Sequence, residues 1–293
     1  MQLRSVGVVP DRSATRVNRR SVADYYDRRT RRFLGPQAVG AATESLHRAV
    51  WGPGAITRSD ALLFCERLIA EQILRSAPDG PLWDLGCGVG AVTERLAAVT
   101  GREAFGLTVS PLQASLAQQA GRAVVCGDFT SSTDLAALRQ LHESPVAAAL
   151  FIESLVHATA PHTVFTDLAS HLVPGGVILV CDDVLLRDPA TVHEHALLLR
   201  WQRGWRLGHV ASVRSFFDAA ASAGFTPLYQ RDLTPWLRLY RWRDALVALG
   251  AGLTAPLAGR SSWMGNLRGG AALTQLTRRG VIGYRLLVVQ KNS

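Results

Sequence analysis

Lysine is nearly missing from this chain. Lys291 stands alone against thirty-one arginines in 293 residues, and the formal net charge is +9. Arginine keeps its charge and grips phosphates or carboxylates as a fork. Such an excess suits nucleic acid, an anionic surface or a phosphorylated small molecule, or simply arginine-rich solvated faces. No stacked-aromatic RNA motif, zinc finger or Asn-Pro-Pro-Tyr-type motif accompanies it, so a nucleic-acid partner is not expected. No apolar run approaches the ~20 residues of a membrane span. The N-terminal "MQLRSVGVVPDRSATRVNRR" has too short an apolar patch for a signal peptide and no small-residue cleavage site. A cytoplasmic protein is expected. Cys65, Cys87, Cys126 and Cys181 form no C-x-x-C pair and have no histidine at metal spacing. They read as buried free thiols, and no metal centre is implied. Internal repeats are absent.

What is present can fold. Hydrophobic residues make up 48% and charged residues 19%, enough for a core and unlike a disordered chain. Residues 1–20 read as a flexible tail. Residues 21–34, "SVADYYDRRTRRFL", carry aromatic and aliphatic residues at helical spacing behind a Ser cap. Residues 36–57 are glycine-broken and read as a lid loop. An amphipathic helix follows over 59–74, capped by Ser59 or Asp60. Short apolar runs then recur at 82–85, 104–109, 123–126, 146–152, 177–181 and 281–290. Helical stretches at 91–99, 111–119, 132–141 and 162–172 lie between them. Strand–helix alternation of this kind argues for a parallel sheet covered by helices. Segments 191–209 and 234–278, rich in Trp, Leu and Arg, interrupt it as a cap. The implied division is a tail (1–20), a lid (21–57), a core (58–190), a cap with late core elements (191–278) and a final strand (279–293).

Ligands bind in the crevice at the ends of parallel strands. There the sequence reads "LWDLGCGVGAVTERLA", residues 82–97. Gly86 and Gly88 permit unusual backbone angles and bring main-chain N–H groups to a ligand. Gly90 lets the next helix pack close. The G-x-G-x-G spacing behind an acid differs from the dinucleotide fingerprint. A carboxylate suits the helix N-terminus, and Asp84 suits a cationic partner. A ligand with an amino-acid end and a sulfonium fits both.

This stretch resembles motif I of class I S-adenosylmethionine-dependent methyltransferases, and the likeness extends over roughly residues 60–185 plus the last strand. The resemblance implies a Rossmann-like α/β fold, with a seven-stranded, mostly parallel sheet, helices on both faces, N-terminal lid helices and a helical cap. It implies that S-adenosyl-L-methionine is held by Asp84, Gly86, Cys87, Gly88 and Gly90. The family's ribose-binding acid after the second strand is missing here. "FGLTVSPLQ" resembles instead the variant of sterol, tocopherol, cyclopropane-lipid and terpene methyltransferases, which assigns ribose contacts to Thr108, Ser110 and Gln113. In "VVCGDFTS", Asp128 matches the position for the adenine amine and Phe129 the ring; a turn-forming Asp is the bland alternative.

"ALFIESLVHA" puts Glu153 at the end of the fourth strand, with His157 four residues on, one turn away if a helix follows. With "VPGG" it resembles the prenyl-diphosphate and terpene C-methyltransferases. That resemblance makes Glu153 the carboxylate that stabilises the cation formed when an alkene takes the methyl group, or removes its proton, and places it against the cofactor too. His157 is the accompanying base. Both have structural alternatives, helix capping for Glu153 and a carbonyl hydrogen bond for His157. "YYDRRTRRFLG" and "ESLHRAVWGPG" resemble the same group's aromatic lid. Tyr25 and Tyr26 then cover the sulfonium or the carbocation, and His47 and Trp51 line the pocket. In the cap, Arg200, Arg203, Arg206, Arg238 or Arg241 would clamp a diphosphate, with Trp236 among the aromatics that enclose an isoprenoid. Solvated arginines on cap helices are the alternative. The expected partner is a small-molecule isoprenoid; a homo-oligomer is left open. N- or O-methylation of a polyketide or alkaloid, and a non-catalytic cofactor-binding protein, are the rival readings.

Overall fold

The computed structural model describes residues 19–33, 45, 47–239 and 262–293. Residues 1–18 of the proposed tail, residues 36–44 and 46 of the lid loop, and Arg241 lie outside them. Seven strands form one sheet: β1 (Leu82–Leu85), β2 (Ala104–Thr108), β3 (Val124–Cys126), β4 (Val146–Ile152), β5 (Leu172–Leu185), β6 (Phe225–Asp232) and β7 (Ile282–Lys291). Their order across the sheet is β3-β2-β1-β4-β5-β7-β6. The first five run parallel and β7 runs antiparallel to both β5 and β6. Helices α1 (Arg19–Phe33), α2 (Arg58–Ser76), α3 (Ala91–Thr100), α4 (Pro111–Gln119), α5 (Ser132–Arg139), α6 (Pro161–His171), α7 (Val192–Trp205), α8 (Val213–Ser222) and α9 (Ser262–Arg278) surround it.

The central strands are buried on both faces, which is why they read as unbroken apolar runs. Side chains alternate. Trp83, Leu85, Phe151, Ile178 and Leu287 face one core with Phe165 of α6 and Phe216 of α8. Leu82, Leu150, Leu179 and Leu286 face the other, with Ile69 and Ile73 of α2. Each of these side chains contributes about 1.5–3 kcal/mol of burial. Local chemistry starts the helices: Thr57 and Asp60 form a capping box on α2, and Ser110 caps α4 with Pro111 at its first position.

Strand β6 was not legible. "FTPLYQRD" pairs only with β7, is largely exposed and contains Pro227, which an edge strand tolerates. Two expectations need correction. Cys126 is exposed, not buried, because β3 is the other edge strand; Cys87 is half-buried. A 3₁₀ turn, Leu155–His157, follows Glu153 where an α-helical turn was anticipated. Among the described residues no helix is long and apolar enough to cross a membrane.

The core contains an acid-sensitive element. The Trp83 indole N–H donates to His142 Nε2 at 2.8 Å, while His142 Nδ1 meets the Ser144 carbonyl at 2.7 Å. A carbonyl only accepts, so Nδ1 carries the proton and the neutral ring is satisfied on both sides. Burial depresses the His142 and His171 pKa values, with Arg139 adding to the effect on each. A histidine held neutral in the fold penalises the folded state once the unfolded chain can take its proton. Stability is therefore present above the ordinary imidazole value of about 6.5 and is lost as pH falls below it. The contribution of the two histidines is read as a difference between proteins, in the midpoint of thermal unfolding followed by tryptophan fluorescence at about pH 7.5 and about pH 5.5. His142→Gln is expected to lose less of that midpoint than the parent on going to the lower pH.

Candidate active site

A cavity of about 720 Å³ opens at the carboxyl ends of β1, β2, β4 and β5, with α1, α7 and α9 around it. Its floor begins at the glycine turn. Gly86, Gly88 and Gly90 all have positive φ, at 97°, 61° and 76°. A Cβ on Gly86 would lie 2.4 Å from the Ser154 Cβ, and one on Gly90 2.8 Å from Val124 Cγ2. The glycines thus make room more than they offer donors. The N–H groups of Gly86 and Cys87 both go to the Leu107 carbonyl, and that of Gly90 to Cys87. Gly86, Cys87 and Gly88 line the cavity; Gly90 does not, serving instead as the N-cap of α3 against β3.

Asp84 lines the cavity and is almost fully buried. The Thr93 hydroxyl donates to its Oδ2 at 2.6 Å. Burial raises its pKa to about 6 against that hydrogen bond. A buried carboxylate with one neutral donor favours a cation beside it. At the end of β2, Thr108 donates to Gln113 Oε1 at 2.7 Å, and Gln113 Nε2 donates to Thr30 of α1 at 2.9 Å. Both side chains line the cavity. Ser110 does not: fully buried, it caps α4 and donates to Asp27 of α1. Asp128 and Phe129 lie at the far end. Asp128 accepts from Thr130, and Phe129 packs edge-on against Phe151.

Glu153 has φ 52°, the left-handed region that a residue other than glycine rarely occupies. Its backbone N–H bonds the Cys181 carbonyl of β5. Its Oε1 accepts from the Arg48 backbone N–H at 2.7 Å and from the Tyr284 hydroxyl at 2.9 Å. The Arg48 guanidinium goes elsewhere, to Asp183 at 2.6 Å, and lies over the Tyr284 ring. Burial pushes Asp183 up to about 7 even so. Asp182 is also in the wall and accepts from the Val156 N–H, holding the 3₁₀ turn. Tyr284, Arg48 and Asp183 were missed by sequence reasoning. His47 lines the cavity too and meets Glu66 at 3.1 Å. Burial opposes its charge, but the Glu66 carboxylate prevails and raises its pKa to about 9. Glu66, despite burial, is held at about 2 by Arg95 and His47.

His157 lines the cavity with Tyr26, their Nε2 and hydroxyl 2.7 Å apart. Tyr25 stacks edge-on against Tyr26 and donates to Asn266 of α9. Trp51 also lines it, with the Arg238 guanidinium 3.2 Å above its ring. Trp201 and Trp205 of α7, with Leu273 of α9, make an apolar wall. These helices cross closely because Gly204 faces Gly265 and Gly269; a Cβ on Gly204 would be 2.4 Å from the Gly265 oxygen.

Two expected substrate contacts are elsewhere. Leu197 and Trp201, four residues apart, face inward on α7, which turns Arg200 into solvent. Trp236 packs edge-on against Phe64 under the Arg231 guanidinium, filling the α2 side of the core. Arg203 and Arg206 are exposed as well, leaving Arg238 as the one described arginine of that set in the cavity.

Residues 83–180 match the family model described as a methyltransferase domain. The 24-methylenesterol C-methyltransferase 2 of Oryza sativa subsp. japonica is 27% identical over 226 residues, 70% of this chain and 60% of the relative. The chain thus aligns with about three fifths of that relative's length. The cyclopropane synthase MmaA2 of Mycobacterium tuberculosis superposes with a TM-score of 0.69 at 21% identity, covering 94% of this chain and 98% of that one. A geranyl diphosphate C-methyltransferase from Streptomyces coelicolor A3(2), solved with Mg2+, geranyl diphosphate and S-adenosyl-L-homocysteine, gives 0.62 at 17%, covering 95% and 99%. These structures establish the class I methyltransferase fold.

Proposed function

We propose that this chain, a methyltransferase domain in the class I fold, transfers a methyl group from S-adenosyl-L-methionine to an alkene carbon of a small isoprenoid. The residues present fit that cofactor. Asp84 suits its cationic end, the Gly86–Gly88 turn leaves space for its amino-acid end, Thr108 and Gln113 suit the ribose, and Asp128 and Phe129 the adenine. When bound it supplies a methyl group on positive sulfur: the alkene electron pair forms the new C–C bond, and the broken S–C bond leaves its pair on sulfur.

One observation carries the substrate reading. The two donors that hold Glu153 are neutral, while the adjacent guanidinium is taken by Asp183. The carboxylate lines a cavity with aromatic and aliphatic walls. A fixed anion in such a site stabilises positive charge that develops on carbon far better than water does. Tyr25, Tyr26 and Trp51 add aromatic faces, each worth about 0.5–2 kcal/mol to a cation within reach.

The test is incubation with methyl-labelled S-adenosyl-L-methionine and a panel of prenyl diphosphates, neutral terpenoids, terpenoid indoles and phenols. A carbon-bound methyl in an olefinic substrate is expected. Methyl found only on oxygen or nitrogen would replace the reading with heteroatom methylation, for which His157 is the available base. Cofactor affinity should follow Asp84. A cation is held by the ionised form, so affinity is full above about pH 6 and falls as pH drops through it, by up to about tenfold per unit. Titration calorimetry across that range checks this, and Asp84→Asn should remove the dependence along with most of the affinity.

A further inference from the structure

We propose that His47 is a positioning residue for Glu153: its side chain, an imidazolium tied to Glu66, clamps residue 48 so that the Arg48 backbone N–H stays on the carboxylate. This rests on the role given to Glu153 above.

Both His47 nitrogens face acceptors. Nδ1 lies 3.0 Å from the Arg48 carbonyl, and Nε2 lies 3.1 Å from Glu66 Oε1. A carbonyl oxygen only accepts, so Nδ1 carries a hydrogen. Glu66 is an acceptor on both oxygens. Its Oε1 takes the Ser45 hydroxyl at 2.9 Å and an Arg95 N–H at 2.8 Å, and its Oε2 takes the Arg95 Nε–H at 2.7 Å. Nε2 therefore carries a hydrogen as well, and the ring is charged. Burial opposes that charge more than any other single influence. Glu66 and Cys65 of α2, with Glu153 beyond β4, outweigh it together and keep the proton on up to about pH 9. Asp84 at the end of β1 also feels the ring's charge. The nearby cations are spent elsewhere, Arg95 of α3 on Glu66 and the Arg48 guanidinium on Asp183.

The charge matters because residues 48–52 belong to no helix or strand, so individual ties place them. Downstream, the Val50 and Trp51 N–H groups go to the Ala61 and Trp236 carbonyls. Upstream, Ser45 and His47 both hold Glu66. Between these anchors the Arg48 N–H meets Glu153 Oε1 at 2.7 Å. A neutral His47 has one hydrogen for two acceptors. One nitrogen then turns its lone pair on the Arg48 carbonyl or on the Glu66 carboxylate, and that tie becomes repulsive. The donor on Glu153 shifts with it. Glu66 itself does not line the cavity, so its influence on the reaction passes through His47.

The test follows one proton by two readouts. In protein carrying ¹⁵N-histidine, assigned by comparison with His47→Gln, His47 is expected to show two N–H groups at about pH 7.5 and to titrate near pH 9, above the ordinary imidazole value of about 6.5. A single N–H at that pH overturns the clamp. The rate of methyl transfer in a single turnover at saturating cofactor is expected to fall at least about fivefold between about pH 8 and about pH 10, with the midpoint of the His47 titration. In Glu66→Gln both midpoints are expected to move down together by at least about one unit. A merely structural loss would slow the reaction equally at every pH, and that result, or a rate midpoint that stays behind, overturns the clamp. His47→Gln, which cannot carry the charge, is expected to be slow and without the alkaline fall; a parent-like fall there overturns the clamp too. The outcomes separate from those of the role beneath. A flat profile in a parent that Glu153→Gln does slow overturns the clamp, whereas Glu153→Gln as fast as the parent overturns the role of Glu153, whatever the charge on His47.

Discussion

Glu153→Gln is expected to lower methyl transfer by about a hundred- to a thousandfold while cofactor affinity stays within about twofold. The substitution keeps the shape and an oxygen for the Arg48 N–H and the Tyr284 hydroxyl, which bond to Oε1 in the parent. It removes the charge alone. A fixed anion acts when positive charge appears on the substrate, so the loss should fall on kcat and leave the ground-state complex largely intact. Rapid-quench assays with labelled cofactor measure the rate, and calorimetry the affinity. A rate within threefold of the parent would remove Glu153 from the chemistry. The left-handed backbone at φ 52° supports the electrostatic role independently, because strain at a residue other than glycine persists only where the surroundings hold it. Here the surroundings are the Cys181 carbonyl on the backbone side and Tyr284 on the carboxylate side.

Gly86→Val is expected to weaken cofactor binding at least a hundredfold. Its φ of 97° costs about 1–3 kcal/mol for a side-chain-bearing residue. The new Cβ would also meet the Ser154 Cβ at 2.4 Å, and Ser154 has little room to yield because its hydroxyl donates to the Leu85 carbonyl at 2.6 Å. The turn must shift, and the cavity floor shifts with it. Gly101→Ala serves as the control. Gly101 is also left-handed, at φ 69°, but nothing lies within 4 Å of its Cβ position. It should lose about 1 kcal/mol of stability and no cofactor affinity. Equilibrium dialysis against labelled cofactor, together with thermal unfolding, separates a damaged site from a merely strained chain. Equal affinity in both variants would mean that the turn does not carry the cofactor.

The geometry of the glycine turn was readable because its signals are local. Asp84 and the three glycines lie within seven residues, and the conformation they impose depends on φ and on the absence of a Cβ. The same holds for Thr108 and Gln113, which meet across one helical start. The cap side of the cavity was readable only in outline. Which arginines of α7 point inward depends on helix rotation, and Arg200 turned out because Leu197 and Trp201 took the inner face. Trp236 lost its expected place to a gap beside Phe64 that no sequence spacing announces. Ser110 was expected to contact the ribose, but its hydroxyl is used by α4 and Asp27. Edge strand β6 lacked the apolar run that burial on both faces writes into β1, β4 and β5.

Composition and periodicity alone determined a parallel sheet with helices between its strands, a glycine turn behind an acid, and a carboxylate at the end of the fourth strand. Each of these follows from backbone sterics and solvent exclusion acting over a few neighbouring residues. Only the tertiary structure decided what holds that carboxylate. Tyr284 lies 131 residues beyond Glu153 and Arg48 lies 105 before it. Their meeting depends on β7 pairing antiparallel with β5, which aligns Tyr284 with Asp183, and on the segment of Arg48 settling against the same edge. Contacts of that range are set by strand register and packing, and no local pattern encodes them.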